Sequence, residues 1–136
     1  MIQNNPELFE LSMSEKTQPL MDLVKHHCEE NIKPIQAEYS ALQNEKEDRW
    51  SWHPRQIELM EGAKDKAREL GLWNFFLPDP DGNIGDGLTN LDYTYVATEI
   101  GKYPLASESM NCSAPDTGNM EVLERVGTEE QKKQWL

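Results

Sequence analysis

The sequence predicts an all-α fold, an orthogonal or up-down helical bundle of five or six helices. Three observations carry this. Apolar residues recur at three- and four-residue spacing over most of the chain, as on one helix face. Pro54 stands where one periodic stretch starts, and Gly71, Gly101 and Gly127 where others stop. No run alternates apolar and polar residues for long enough to build a strand ladder.

Taken in order, residues 1–13 read as a flexible N-terminal arm, and residues 14–136 as one helical domain. Leu20, Leu23, Val24, His27 and Cys28 share the spacing of a first helix. Pro34 should end or bend it, because proline lacks an amide donor and its ring crowds the preceding turn. Ile35, Tyr39 and Leu42 continue the pattern beyond the bend. "EKEDRWSWHPRQ" is a polar connection, and Pro54 suits the first turn of the next helix. Ile57, Met60, Ala63, Ala67 and Leu70 form its stripe, and Gly71 stops it in the left-handed conformation. "LWNFFLP" reads as a buried extended segment, followed by the turn-rich loop "DPDGNIGDG". Thr89, with Asp92 three residues on, starts a helix whose stripe is Leu91, Tyr95, Val96 and Ile100. A short helix over 104–110 follows, then one over 116–126 capped by Asp116 or Thr117, with Met120, Leu123 and Val126 on one face. Thr128 and Gln131 match a capping box for a last helix. About two turns of that helix are present, marginal in isolation, so the chain reads as the N-terminal part of a longer protein.

Size and charge narrow the function. The 136 residues suit one domain with a real core. Thirteen basic against twenty-five acidic residues give a net charge of −12, which repels nucleic acid and anionic membrane. The longest apolar run, 72–77, is too short for a membrane span and is interrupted by Asn74. The N-terminus has neither a secretory signal nor a transit-peptide composition. Cys28 and Cys112 are isolated, which points to a reducing intracellular compartment, the cytoplasm in a bacterium.

Several constellations fail their chemical tests. The loop from Asp79 places Ile84 and Asn90 where a calcium-binding EF-hand loop needs glycine and glutamate. Gly82, Gly85 and Gly87 lack both the spacing and the lysine of a phosphate cradle. His26, His27 and Cys28 are adjacent on a helix and point about 100° apart, so they cannot converge on one metal. They read as a partly buried cysteine with histidines at the rim. Cys112 has no base placed beside it for nucleophilic work. Trp50 and Trp52 suit packing at a helix entry or against a partner domain. "NCSAPDTGN", over 111–119, is different. It gathers Asn111, Ser113, Asp116, Thr117 and Asn119 ahead of a helix, as helix caps, surface groups or a ligand wall at a helix N-terminus.

The stretches "GLWNFFLP" and "GLTNLDYTYVATEIGKYPLASESMNCSAPDTGNMEVLERVGTEEQKKQWL", with Ile32 and Pro34 before them, resemble the N-terminal helical domain of the acyl-CoA dehydrogenases. The branch is that of family members ten and eleven and their bacterial relatives. The resemblance implies a flavoprotein of fatty-acid β-oxidation, in which a glutamate takes the α proton of an acyl-CoA thioester and FAD accepts the β hydride. It implies a middle β-domain and a C-terminal helical domain as partners, and a homo-oligomer. This chain stops before both of those domains, so no catalytic residue is assigned to it and FAD is not expected to bind it alone. Only a pocket-lining role is carried over, for Cys112, Ser113, Asp116, Thr117, Gly118 and Asn119. The alternative from another class is a stand-alone helical binding or scaffold module without redox chemistry.

Overall fold

The computed structural model describes residues 11–45, 48–77 and 87–136. The loop over 78–86, which holds most of the calcium and phosphate-cradle positions, lies outside the described residues, as do 1–10 of the predicted arm. Met13, at the end of that arm, packs on the core.

A 3₁₀ turn at Glu15–Thr17 leads into α1, Gln18–His27, which buries Leu20, Met21, Val24 and His27. The helix does not end or break ahead of Pro34. A π-helical turn, Cys28–Ile32, joins α1 directly to α2, Lys33–Leu42, with the Lys33 amide donating to the Cys28 carbonyl. The wider turn gives room for the Pro34 ring and puts that residue in the first turn of α2.

Helix α3, Pro54–Glu69, opens on a capping box built from histidine: His53 Nδ1 accepts from the Arg55 amide at 3.1 Å, and Gln56 Oε1 accepts from the His53 amide at 3.3 Å. It ends where the spacing predicts. Leu70 caps it and Gly71 takes φ +72°, with the Gly71 amide bonded to the Arg68 carbonyl (3.0 Å) and the Leu72 amide to the Ala67 carbonyl (2.8 Å). That pair of bonds is the Schellman closure.

Helix α4, Asn90–Ile100, has the predicted Thr89–Asp92 box, α5 is Ala106–Ser109, and α6 is Asp116–Val126. Helix α7, Glu129–Trp135, starts on the Thr128–Gln131 box. With α1, the π turn and α2 taken as one rod, the described residues hold six helices and no strand. Gly127 ends α6 without a left-handed φ. A Cβ there would lie 2.5 Å from the Leu123 carbonyl oxygen, so glycine is required by close approach instead.

Packing runs α1 on α4, α2 on α3, α3 on α5 and α6 on α7. Leu20, Met21, Val24, Cys28 and Ile32 form the rod's buried contribution to the core. Ala63 and Ala67, small enough to bring α3 close, meet them along with Leu72, Phe75, Val96, Ile100, Ala106 and Met110.

The structure also corrects the sequence reading at four further places in the core. Residues 72–77 are a succession of turns, not an extended segment: Asn74 has φ 56°, the Leu77 amide returns to the Asn74 carbonyl at 2.9 Å, and Leu72, Phe75 and Leu77 are buried. Ile57 is 51% exposed, because the fully buried Gln56 anchors α3 by donating to the Tyr39 carbonyl and to Gln43 Oε1, both at 3.0 Å. Tyr95 is 39% exposed, with its hydroxyl on the Leu11 carbonyl; Asp92 takes the inward place instead. That carboxylate accepts from the Ser14 amide at 2.8 Å and from the Thr89 hydroxyl and amide, and these bonds hold it well below the usual carboxylate range. His27 lies fully inside, not at the rim. Its Nδ1 accepts from Asn31, its Nε2 donates to Ser109 Oγ at 3.0 Å, and that hydroxyl donates to the Ala106 carbonyl at 2.8 Å, so the buried ring is satisfied in one tautomer.

Candidate functional site

The 111–119 segment starts at the end of α5. Asn111 takes φ 55°, its amide returns to the Glu108 carbonyl (3.2 Å) and the Cys112 amide to the Ser107 carbonyl (2.8 Å). This is the Schellman closure again, with asparagine in the left-handed place. Asparagine is among the few residues with a Cβ that visit that region routinely.

The Asn111 side chain then does what a glycine could not. Its Nδ2 donates to Asn74 Oδ1 at 2.6 Å and lies 3.4 Å from Met120 Sδ in α6. Asn74 is the other left-handed asparagine. Its backbone amide donates to the Met110 carbonyl at 3.2 Å, and its Nδ2 reaches the Leu136 carbonyl at 3.4 Å. The turning segment 72–77, the exit of α5, the start of α6 and the end of α7 therefore meet at two amide groups.

Cys112 is half-buried beside this joint, with its thiol 3.4 Å from the Met110 carbonyl. Burial pushes the thiol up to about 12, against the opposing effect of the Phe76 amide. Burial thus favours the protonated thiol at neutral pH. Tyr93 packs against the core nearby, and burial raises its phenol to about 12 as well.

Ser113 is half-exposed, and its carbonyl accepts the Thr117 amide at 3.2 Å. The Ala114–Pro115 peptide is cis. Contrary to the sequence expectation, neither Asp116 nor Thr117 caps α6: Pro115 occupies the capping position, with no side-chain bond. Asp116, Gly118 and Asn119 are exposed and Thr117 is half-exposed. No atom lies within 4 Å of where a Gly118 Cβ would sit, so bare helix backbone faces open space there. The structure thus brings Cys112 into the core margin and leaves the polar groups of 113–119 facing outward. Sequence reasoning missed Asn74 and Tyr93. An asparagine interrupting an apolar run was the available signal for Asn74.

Among the described residues, cavities lie elsewhere. One of about 570 Å³, between α2, α3 and α5, is lined by Trp52, Ile57, Met60 and Leu105, with Lys64 held between Glu61 (3.3 Å) and Glu108 (3.1 Å). Another, about 380 Å³, is lined by Lys33, Ser40, Lys102 and Tyr103 among others. Neither touches 111–119. Among the described residues no group of three or more His, Cys, Asp or Glu could hold a metal, and no helix is long and apolar enough to cross a membrane.

Comparison with known proteins defines the class. The family pattern described as acyl-CoA dehydrogenase, N-terminal domain, matches residues 14–136. Acyl-CoA dehydrogenase family member 10 of Mus musculus is 44% identical over 91% of this chain, and family member 11 of Gallus gallus is 44% identical over 99% of it. A solved Mycobacterium abscessus structure, described as that of an acyl-CoA dehydrogenase, superposes with a TM-score of 0.71 at 35% identity over 92% of this chain. The chain therefore belongs to the acyl-CoA dehydrogenase family, as its all-α N-terminal domain. It spans 11% and 17% of the two curated relatives and 31% of the solved chain.

Proposed function

We propose that this chain supplies one wall of the pocket in which an FAD-dependent acyl-CoA dehydrogenase removes the α and β hydrogens of an acyl-CoA thioester. The wall is 111–119, with Cys112, Ser113, Asp116, Thr117, Gly118 and Asn119 lining it. The base, the flavin cradle and the homo-oligomeric contacts belong to a β-domain and a C-terminal helical domain beyond this chain. The observation that supports it is the family match running through 111–119, where Pro115 has taken the capping position. The side chains of Asp116 and Thr117 are left for a partner, and Gly118 leaves backbone open to close approach.

A domain exchange tests this. The chain replaces the matching N-terminal part of the Mycobacterium abscessus protein. The chimera is expected to be yellow and to oxidise octanoyl-CoA with a dye acceptor, while the isolated 136 residues are colourless and inactive. In the chimera, Gly118→Leu should raise KM for octanoyl-CoA about tenfold at unchanged flavin content, the size of roughly 1.4 kcal/mol of lost binding. FAD binding and thioester oxidation by the isolated chain would overturn the reading. A Gly118→Leu chimera with wild-type KM would remove 111–119 from the pocket. A stable colourless monomer whose chimera never binds flavin would favour the stand-alone module.

A further inference from the structure

We infer that Asn74 and Asn111 are positioning residues, a two-amide clasp that sets where the 111–119 wall stands and ties it to the end of α7. The inference rests on the pocket-wall reading for its function and on geometry alone for its existence. Both residues hold left-handed backbone, at φ 56° and φ 55°, within segments 37 residues apart, and they bond to each other at 2.6 Å. Each also holds something the other does not. Asn111 reaches Met120 in α6 and Asn74 reaches the Leu136 carbonyl, so the wall is gripped from both ends. The Asn74 amide on the Met110 carbonyl adds a backbone tie along the same seam.

Glycine would serve either turn, since it adopts this conformation at no steric cost. What asparagine adds is the side-chain amide, and both amides are spent on the joint between segments. A shell of this kind holds lining groups within the narrow tolerance that binding sites need. The clasp touches no predicted ligand directly. Its effect is exerted through Cys112 and Ser113, which follow Asn111 in the chain.

Cys112 is a built-in reporter, and the fully buried Cys28 an internal reference for global opening. Alkylation of both thiols by N-ethylmaleimide is followed by mass spectrometry in the 136-residue chain and four variants. Asn74→Ala, Asn111→Ala and Asn111→Gly are expected to speed Cys112 about five- to tenfold beyond any acceleration of Cys28, the scale of one lost hydrogen bond. Asn74→Asp tolerates the left-handed backbone and keeps an oxygen for the Asn111 amide. It loses only the donor to the Leu136 carbonyl and is expected to restore most of the slow rate, while Asn111→Gly, whose backbone is equally content, separates the amide bonds from a merely conformational role. Unchanged Cys112 rates in both alanine variants overturn the clasp. So does an equal acceleration of Cys28 and Cys112 in Asn111→Gly, because the pair would then contribute only general stability.

A second arm adds octanoyl-CoA at millimolar concentration and asks whether it protects Cys112. Protection in the wild type that is lost in Asn74→Ala and regained in Asn74→Asp supports positioning of a ligand wall. Protection retained in every variant overturns it. No protection in the wild type counts against the pocket-wall reading, while the unprotected rates still decide the clasp.

Discussion

Helices α3 and α5 end in the same backbone motif, one on Gly71 and the other on Asn111. Gly71 is exposed, with nothing within 4 Å of where a Cβ would sit. Its end of α3 needs only a left-handed residue, and the nearby side-chain contact is Arg68 stacked 3.9 Å above the Trp73 ring. The end of α5 is half-buried and gripped from two sides. Ser109 takes the buried His27 ring from α1, and Asn111 takes Asn74 and Met120. The difference teaches that a helix stop and a tertiary joint can share one residue. Glycine provides the first, and asparagine can provide both.

Asn111→Ala should break the gripped end most severely. It combines left-handed strain of 1–2 kcal/mol with lost amide bonds, so a destabilisation of about 3 kcal/mol is expected in urea denaturation. Acid attacks the other grip. Burial lowers His27 from 6.5 to about 4, with His26 adding a smaller push in the same direction. The unfolded chain therefore binds the proton more readily, and this contribution to stability is whole above pH 6.5 and fades as pH falls towards 4. The loss should reach about 3 kcal/mol, seen as a falling urea midpoint that His27→Gln flattens.

Gly71→Ala should cost about 1 kcal/mol, from backbone strain alone. Asn111→Gly should cost a similar amount for the opposite reason: the backbone is content and the amide is gone. Gly71→Asn is the mildest change, within about 0.5 kcal/mol, because asparagine tolerates the conformation and has open space around it. If Asn111→Gly proved as mild as Gly71→Asn in the same denaturation series, the two ends would be equivalent and the contrast between them lost.

Much of the fold was legible along the chain. The boxes at Thr89–Asp92 and Thr128–Gln131, the stop at Gly71 and the bounds of α6 all stand where local chemistry put them. Such features are closed by bonds three to five residues apart, so a short window contains all their partners. The inward faces of α3 and α4 were less legible. Gln56 outcompetes Ile57 because its amide finds the Tyr39 carbonyl, and Asp92 outcompetes Tyr95 because it finds Ser14, 78 residues away. A polar residue that satisfies every bond is drawn inside, and apolar periodicity does not record that. The expected capping of α6 by Asp116 or Thr117 failed because the preceding proline holds the capping position.

By itself the sequence determined an all-α domain, most of the places where its helices begin and end, and its kinship with acyl-CoA dehydrogenases. These follow from local spacing, from residues with special backbone preferences, and from motifs that stay contiguous. Only the tertiary structure decided that two asparagines 37 positions apart would face each other and that a histidine from α1 would secure the end of α5. A hydrogen bond between distant segments depends on the distance and direction the folded core imposes, and neither quantity is written in the order of residues along the chain.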